Sequence, residues 1–228
     1  MEQQVKRIAV FDLDGTSLRG QSGALFSVYL WKRGLVSPRR TLALTAWAAK
    51  YKLHLLHDQN RSRELVFGAL KGMTASQIDQ VMDDFCDEVI IPRIRPAAVR
   101  EVARLKDQGV VTVLVSATFE RIAERSARVL GVDGWVATKM EKDAAGNYTG
   151  RVEGEVTAGP GKIRATARWC DEHLGPGQWE IAYAYGDHYT DQELLALAET
   201  ACAVCPTRTL RRMAKRAGWA ILDWDHKD

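Results

Sequence analysis

The sequence lacks a long apolar run. A membrane-spanning helix needs roughly 18 consecutive apolar residues, and the closest candidate, residues 41–56, is interrupted by Lys50, Lys52 and His54. The amino-terminal stretch does not read as a signal peptide, because its short apolar segment runs directly into Asp12 without a small-residue cleavage site. We therefore expect a cytoplasmic protein without a transmembrane segment.

Cysteine is also scarce. The 228 residues include 4 cysteines, which are Cys86, Cys170, Cys202 and Cys205. The last pair forms a Cys-x-x-Cys, but a redox or zinc site needs a turn, a helix start or a second ligand pair. Residues 201–206 instead have the apolar character of a buried strand, in which such positions point to opposite faces. We expect four core cysteines.

The chain has no large excess of charge and no repeat or low-complexity tract. Its formal net charge of +3 is too small to indicate a nucleic-acid partner. Hydrophobic residues make up 46% and charged residues 27%, which is ordinary for a globular protein. Length and composition therefore predict one large domain, or a core domain that carries a smaller insert.

Short apolar runs alternate with amphipathic segments along most of the chain. The predicted strands are residues 7–13, 110–118, 135–140, 147–156, 179–187, 201–206 and 219–224. The predicted helices are residues 97–109, 119–131, 161–175, 190–200 and 209–218. This alternation predicts an α/β fold, with a Rossmann-like parallel sheet that carries helices on both faces.

Residues 20–92 break this alternation. They contain consecutive helical patterns and no convincing strand, at residues 23–34, 41–56, 61–72 and 74–90. We predict an all-helical cap that is inserted after the first strand and lies above the edge of the sheet. The predicted domains are a core of residues 1–19 and 93–228 and a cap of residues 20–92.

Polar residues that could take part in catalysis or binding lie where the predicted strands end or helices begin. They are Asp12, Asp14, Ser116, Thr118, Lys162, Asp187 and Asp191. In a doubly wound sheet, ligands bind at the carboxyl ends of the strands, so these residues should meet at one edge. Adjacent carboxylates repel one another unless a cation neutralises them, and Mg²⁺ accepts carboxylate oxygens. One carboxylate could then act as a nucleophile and another as a general acid and base.

Four of these sequence features, in order, resemble the motifs of the haloacid dehalogenase-like superfamily of hydrolases. They are Asp-x-Asp-Gly-Thr at residues 12–16, Ser116 after an apolar strand, Lys162, and Gly-Asp-x-x-x-Asp at residues 186–191. The resemblance covers about residues 7–224. The helical insert after the first motif resembles subfamily IB, the branch that contains phosphoserine phosphatases.

The resemblance implies a Mg²⁺-dependent phosphatase that works through an aspartyl-phosphate. It makes Asp12 the nucleophile and Asp14 the general acid and base. It assigns Mg²⁺ to Asp12, the backbone carbonyl of Asp14 and Asp187, with Asp191 acting nearby through water or by pairing with Lys162. The second aspartate of the first motif is absent from the dehalogenases of this superfamily, so Asp14 favours phosphate-ester hydrolysis.

Three further residues are implied in phosphate binding. Ser116 and the neighbouring Ala117 would hold the phosphate, and Lys162 would neutralise the nucleophile and the phosphate. Ser116 has a second interpretation, because a helix begins just after it and serine is a good helix N-cap. Lys162 could also be an ordinary surface residue of its helix.

Two residues bear on the substrate. Gln21 stands where phosphoserine phosphatases have a glutamate that receives the substrate amine. An amide cannot pair with an ammonium group as a carboxylate can, so we expect a small phosphorylated metabolite other than phosphoserine, with Gln21 facing it. His188 follows the predicted metal ligand Asp187 and is either a residue of the rim or a substrate contact.

Two other functions remain open. Residues 39–63 are rich in lysine and arginine and contain Trp47, so they could make a peripheral contact with lipid headgroups. The protein would then be a lipid-phosphate phosphatase similar to phosphatidylglycerophosphatases. The alternative for this segment is a cap helix with a solvated basic face. The chain could also be a non-catalytic regulator that binds a phosphorylated ligand.

Overall fold

The computed structural model describes residues 5–35, 64, 67–70 and 72–225. The strands are β1 (Lys6–Phe11), β2 (Val111–Phe119), β3 (Gly134–Thr138), β4 (Met140–Lys142), β5 (Tyr148–Val152), β6 (Trp179–Gly186), β7 (Thr200–Val204) and β8 (Ala220–Leu222). The α-helices are α1 (Ser22–Lys32), α2 (Ala75–Phe85), α3 (Pro96–Asp107), α4 (Glu120–Leu130), α5 (Pro160–Leu174), α6 (Gln192–Ala196) and α7 (Arg208–Ala217). The short helical segments are a π-helix, Cys86–Ile90, and the 3₁₀ turns Gly68–Leu70, Ile91–Arg93 and Tyr189–Asp191.

A six-stranded sheet forms the centre of the molecule. Its strand order is β3-β2-β1-β6-β7-β8, and every neighbouring pair is parallel. The strands β4 and β5 form a separate antiparallel hairpin. Since β1 lies between β2 and β6, the carboxyl ends of these three strands are adjacent, and the chain order reverses there. The predicted α/β class with a parallel sheet is confirmed.

The two faces of β1 belong to two different apolar layers. Ile8 and Val10 pack with residues of α5, α6 and α7, whereas Ala9 and Phe11 pack with residues of α3 and α4. All four side chains are fully buried. A strand covered on both faces reads as a continuous apolar run, which is why the sequence of β1 shows no polar alternation.

Several predicted boundaries differ from the structure, and three of these differences affect the site or the cysteines. The first strand ends at Phe11, because residues 12–18 form a tight turn in which the amides of Ser17 and Leu18 bond back to Asp12 and Leu13. The predicted helix 190–200 is shorter, consisting of the Tyr189–Asp191 turn and α6. The amide of Glu199 already bonds to Ile181, so the chain has entered β7 by that point.

The third boundary concerns the last cysteine. Cys86, Cys170 and Cys202 are buried as expected, but Cys205 is partly exposed and lies just beyond β7. Its φ of +41° is incompatible with a strand. All four cysteines are free. The expectation of opposite strand faces is therefore wrong for Cys205, which instead bonds through its amide to Leu222.

The described parts of the predicted cap are helical. The patterns at residues 23–34 and 74–90 correspond to α1 and to α2 with the π-helix. The pattern at 61–72 is described in part, with the turn Gly68–Leu70, and the pattern at 41–56 lies outside the described residues. None of the described helices is long and apolar enough to cross a bilayer.

Aromatic packing joins these insert helices to the sheet. Phe26 of α1 lies 4.9 Å from Phe85 of α2 and 6.2 Å from Phe119, the last residue of β2, measured between ring centroids. Arg121 of α4 donates two hydrogen bonds to the carboxylate of Asp83 in α2. The helices that enter and leave the insert are thus packed beside the carboxyl end of β2.

Candidate active site

Acidic side chains from two neighbouring strands meet at the carboxyl edge of the sheet. Asp12 directly follows β1, and its amide donates a 3.0 Å hydrogen bond to the carbonyl of Tyr185 in β6. Asp187 directly follows β6, and Asp191 ends the 3₁₀ turn after it. All three aspartates are at least nine-tenths buried. Parallel pairing of β1 with β6 therefore brings together carboxylates that are about 175 residues apart in sequence.

Lys162 connects two of these carboxylates. Its ammonium group lies 2.6 Å from Asp12 Oδ1 and 2.6 Å from Asp191 Oδ1. The lysine is only 5% exposed, so it is not a surface residue of α5. Burial by itself lowers the pKa of Lys162, but the two carboxylates outweigh burial and raise the pKa above its usual range. The two carboxylates therefore favour the protonated form of Lys162.

The three aspartates offer a set of ligands that fits a divalent cation. One carboxylate oxygen from each of Asp12, Asp187 and Asp191 lies within 4.8 Å of the others. Burial is the largest cause that raises the pKa of Asp187 to about 8, and the charges of Asp12 and Asp191 raise it further in the same direction. Burial likewise raises the pKa of Asp12, against the opposing effect of Lys162. Ionisation of all three carboxyl groups therefore needs more positive charge than one lysine supplies, and buried oxygen ligands of this kind suit Mg²⁺.

The turn after Asp12 holds this carboxylate in place. The Thr16 hydroxyl donates a 3.1 Å hydrogen bond to Asp12 Oδ2, and the Ser17 hydroxyl donates a 2.7 Å bond to the Asp12 carbonyl. Gly15 has a φ of +81°, and a Cβ there would lie 2.2 Å from Asp187 Oδ2. Glycine is therefore required both by the backbone conformation and by the close approach of the two strand ends.

Asp14 forms hydrogen bonds with the first residue of α1. The amide of Ser22 donates to Asp14 Oδ1 at 2.6 Å, and the Ser22 hydroxyl donates to Asp14 Oδ2 at 2.9 Å. The same hydroxyl lies 2.7 Å from Thr118 Oγ1 in β2. The helix amino terminus favours a negative charge at this position. The first residue of α1 thus fixes both oxygens of Asp14.

Ser116 lies inside β2 and is fully buried. Its Oγ accepts a 3.2 Å hydrogen bond from the amide of Thr118. The N-cap of α4 is Phe119, so the interpretation of Ser116 as a helix N-cap is wrong. The chain stays extended for three residues beyond Ser116, which moves the helix start away from it. The neighbouring Ala117 is partly buried, and its carbonyl accepts a bond from Thr138.

The two candidate substrate residues, Gln21 and His188, are adjacent in sequence to Ser22 and Asp187 of the site. Gln21 is exposed and is the N-cap of α1, directly before the serine that binds Asp14. His188 is partly buried, and its Nδ1 lies 3.0 Å from the Thr190 hydroxyl. Its amide donates to Asp191 Oδ2 at 3.3 Å. Neither side chain belongs to the carboxylate cluster of Asp12, Asp187 and Asp191.

Sequence reasoning gave no role to three hydroxyl residues that bond to the two aspartates of the first motif, which are Thr16, Ser17 and Ser22. It also gave none to Thr118, whose hydroxyl contacts that of Ser22. The threonine of Asp-Gly-Thr was visible as part of a motif, and Thr118 was visible as a polar residue near a strand end. Ser17 and Ser22 carried no signal of their own, because serine is common in turns and at helix starts.

Comparison with known proteins identifies relatives over nearly the whole chain. The family model for haloacid dehalogenase-like hydrolases matches residues 9–196. A histidinol-phosphatase of Neisseria meningitidis is 28% identical over 221 residues, covering 96% of this chain and 100% of that protein. A phosphoserine phosphatase of Mycobacterium tuberculosis, SerB1, is 31% identical over 223 residues, covering 95% of this chain and 70% of that protein. A Bordetella pertussis structure of unknown function superimposes with a TM-score of 0.87 at 28% identity, covering 97% of this chain and all of that one.

Proposed function

Because this chain belongs to the haloacid dehalogenase-like hydrolase family and is a phosphatase of that family, we propose that it hydrolyses a small phosphorylated metabolite through an aspartyl-phosphate at Asp12. The observation that carries this proposal is the buried contact of Lys162 with Asp12 and Asp191. A buried lysine held at the amino-terminal turn of a helix opposes the helix dipole. Its two carboxylate partners offset this cost, and the same ammonium group would neutralise charge on the phosphoryl group.

The residues divide the reaction into two steps. In the first step, an oxygen of Asp12 attacks phosphorus, the bond from phosphorus to the ester oxygen breaks, and Asp14 donates a proton to the leaving alcohol. In the second step, Asp14 takes a proton from water, the water oxygen attacks phosphorus, and phosphate leaves Asp12. Thr16 and Lys162 hold the two oxygens of Asp12 in a fixed orientation. Ser22 would hold Asp14 in reach through its two hydrogen bonds.

Charge on the phosphoryl group is offset from several sides. Ser116 and Ala117 would bind its oxygens near the carboxyl end of β2, and Lys162 would face it from α5. Mg²⁺, bound by Asp12, Asp187, Asp191 and the backbone carbonyl of Asp14, would supply the remaining positive charge. The pKa of Asp187, raised by burial and by its acidic neighbours, supports a cation at this position.

The proposed class of substrate rests on the relatives and on the residues next to the site. The relatives in Neisseria and Mycobacterium are named for different substrates at similar identity, so neither name transfers by itself. Residues 20–92 would cover the site as a cap, with Gln21 and His188 at its edge. Gln21 is neutral, which disfavours a substrate that is held only through its ammonium group. The segment 39–63, which would support a lipid substrate, lies outside the described residues.

The first test measures phosphate release from a panel of phosphomonoesters, with Mg²⁺ and with EDTA. The panel contains histidinol phosphate, phosphoserine, sugar phosphates, nucleotides, and lysophosphatidate and phosphatidylglycerophosphate in detergent. We expect release from a soluble compound with Mg²⁺ and its loss in EDTA, restored when Mg²⁺ is added in excess.

The pattern across the panel separates the alternatives. A preference for the detergent-dispersed compounds would favour the lipid-phosphate phosphatase. Equal release in EDTA would contradict the proposed metal. Binding of a panel compound without release would favour the non-catalytic regulator, which phosphatase relatives over nearly the full chain already disfavour.

Replacing Ser22 by alanine tests the placement of Asp14. The variant loses the hydroxyl bond to Asp14 and keeps the amide bond. A hydrogen bond to a charged group contributes about 1.5–3 kcal/mol, so kcat should fall on the order of 10-fold or more, with KM nearly unchanged. Steady-state kinetics on the best panel substrate measure this.

The matched control is Ser27→Ala. Ser27 lies on the same helix, and its hydroxyl bonds to the carbonyl of Gly23 within that helix. It should keep the kcat of the unchanged protein. Equal losses in the two variants would show that the helix as a whole, and not the bond to Asp14, is responsible.

A further inference from the structure

Arg95 is a buried arginine that makes contacts on two sides. Its side chain is only 5% exposed, and it stands directly before α3. On one side, Nη1 donates to the carbonyls of Gly15, Thr16 and Leu18 at 2.6, 2.7 and 3.0 Å. On the other side, Nε and Nη2 donate to the two carboxylate oxygens of Asp225, each at 3.0 Å. One guanidinium thus joins the turn after β1 to the segment after β8.

The turn that Arg95 holds is the one that orients the nucleophile. Thr16 and Ser17 in this turn bond to Asp12, and Gly15 packs directly on Asp187. The amide of Arg95 also donates to the Ser17 carbonyl at 2.8 Å. Every residue from 15 to 18 therefore bonds to Arg95 through its carbonyl, and buried carbonyls without such a donor are costly.

Asp225 holds the guanidinium of Arg95 on the side opposite the turn. Its carboxylate receives both parallel N–H groups of Arg95, which sets the plane of the guanidinium as well as its position. The Arg95 hydrogen bonds are the largest cause that lowers the pKa of Asp225 below its usual range. The neighbouring Trp224 stacks on Tyr185, with 5.6 Å between ring centroids, and Tyr185 stacks on Phe11 of β1 at 4.4 Å. Asp225 is thereby anchored over the same strands that carry the site.

We propose that Arg95 and Asp225 are positioning residues for the phosphatase reaction, which act by holding the turn of residues 15–18 in the geometry that orients Asp12. Neither residue touches the substrate. The inference rests on the proposed function, because it assigns these residues to the same reaction. Lysine cannot replace Arg95, since a single ammonium group cannot serve the three carbonyls and both oxygens of Asp225 at once.

Arg19 provides a matched control. Its Nε also donates to Asp225, at 2.6 Å, but its side chain is half exposed. The variant Arg19→Gln removes an arginine contact of Asp225 and leaves the bonds of Arg95 to the turn in place. A positioning role therefore predicts a difference between Arg95 and Arg19, whereas a general role of charge around Asp225 predicts none.

The experiment uses the full chain with Arg95→Lys, Asp225→Asn, the double variant and Arg19→Gln. We measure kcat and KM on the best panel substrate, the melting temperature, and hydrogen–deuterium exchange of peptides covering residues 12–21. A displaced turn should lower kcat by about 10- to 100-fold in Arg95→Lys, with KM within about threefold. Asp225→Asn should lower kcat by a smaller factor, the double variant should be no worse than Arg95→Lys, and exchange at residues 15–18 should increase.

Other outcomes of this experiment would overturn the proposal or separate it from the proposed function. A lower melting temperature with unchanged kcat and exchange would overturn the proposal, and so would an equal loss in Arg19→Gln. If Arg95→Lys fails to fold, Asp225→Asn decides, because it retains the arginine and its carbonyl contacts. If the unchanged protein releases phosphate from no compound, the proposed function fails separately, and unchanged exchange at residues 15–18 in both variants would then overturn the positioning role.

Discussion

Replacing Asp12 by asparagine is expected to abolish phosphate release, with turnover lowered on the order of 10⁴-fold or more, as when a catalytic nucleophile is removed. Asparagine has the same shape but cannot form an acyl phosphate. Lys162 keeps its second partner, Asp191, and the backbone bonds of residue 12 do not depend on its side chain. The fold should therefore persist, which circular dichroism and the melting temperature would check alongside phosphate release.

The control for this variant is Asp107→Asn. Asp107 is exposed and is the last residue of α3, at the opposite end of the helix from Pro96. It should keep full turnover. Turnover near that of the unchanged protein in Asp12→Asn, in a preparation whose mass shows no deamidation back to aspartate, would refute the nucleophile assignment. Borohydride trapping gives an independent readout, because it should reduce the acyl phosphate to an alcohol at residue 12 and nowhere else.

The sequence was most informative about residues that terminate a strand or begin a helix. Asp12 and Asp187 could be placed together because each directly follows a buried apolar run, and parallel strands end at one edge. Lys162 could be placed there because Gly159 and Pro160 mark a helix start, and α5 does begin at Pro160. These inferences need only the apolar pattern of the strands and the rule that parallel strands end at one edge, with no knowledge of side-chain contacts.

Contacts between residues that lie far apart in the chain, and that belong to no motif, could not be predicted from the sequence. Ser22 reaches Thr118 across 96 positions, and Arg95 reaches Asp225 across 130. Serine at a helix start and arginine before a proline each have a common local explanation, so no pattern marks them. The same reasoning failed at Cys205, where an apolar stretch continued past the point at which the backbone turns to a positive φ.

The two kinds of residue serve the site differently. Those at strand ends, such as Asp12 and Asp187, would contact the phosphate or the metal. The residues that the sequence did not indicate, such as Ser22 and Arg95, instead form hydrogen bonds to Asp14 and to the turn that follows it. Since the held segment between Asp12 and Ser22 also leads into the insert, the orientation of Asp14 depends on where α1 begins. A change in the described insert helices would therefore reach Asp14, the proposed catalytic acid, through Ser22.

Replacing Lys162 by methionine is expected to lower kcat by about 10²–10³-fold, the cost of removing one preorganised group that stabilises transition-state charge. Methionine fills a similar volume in a site where the lysine is 5% exposed, but it leaves Asp12 and Asp191 without their shared cation. An uncompensated buried carboxylate is strongly destabilising, so the metal-free variant should melt below the unchanged protein. Added Mg²⁺ should raise the melting temperature of the variant by more than that of the unchanged protein, because Mg²⁺ then supplies the only compensating charge at these carboxylates.

Lys106→Met is the matched control for both readouts. Lys106 lies 2.7 Å from Asp133, but the lysine side chain is 39% exposed, and an exposed ion pair contributes little because solvent screens it. This variant should keep its kcat and show the same Mg²⁺-dependent shift as the unchanged protein. If Lys162→Met keeps kcat while losing thermal stability, Lys162 serves only to balance the buried carboxylates. If the Mg²⁺-dependent shift is identical in all three proteins, the cation does not bind at Asp12 and Asp191, and the metal assignment falls while the nucleophile assignment stands.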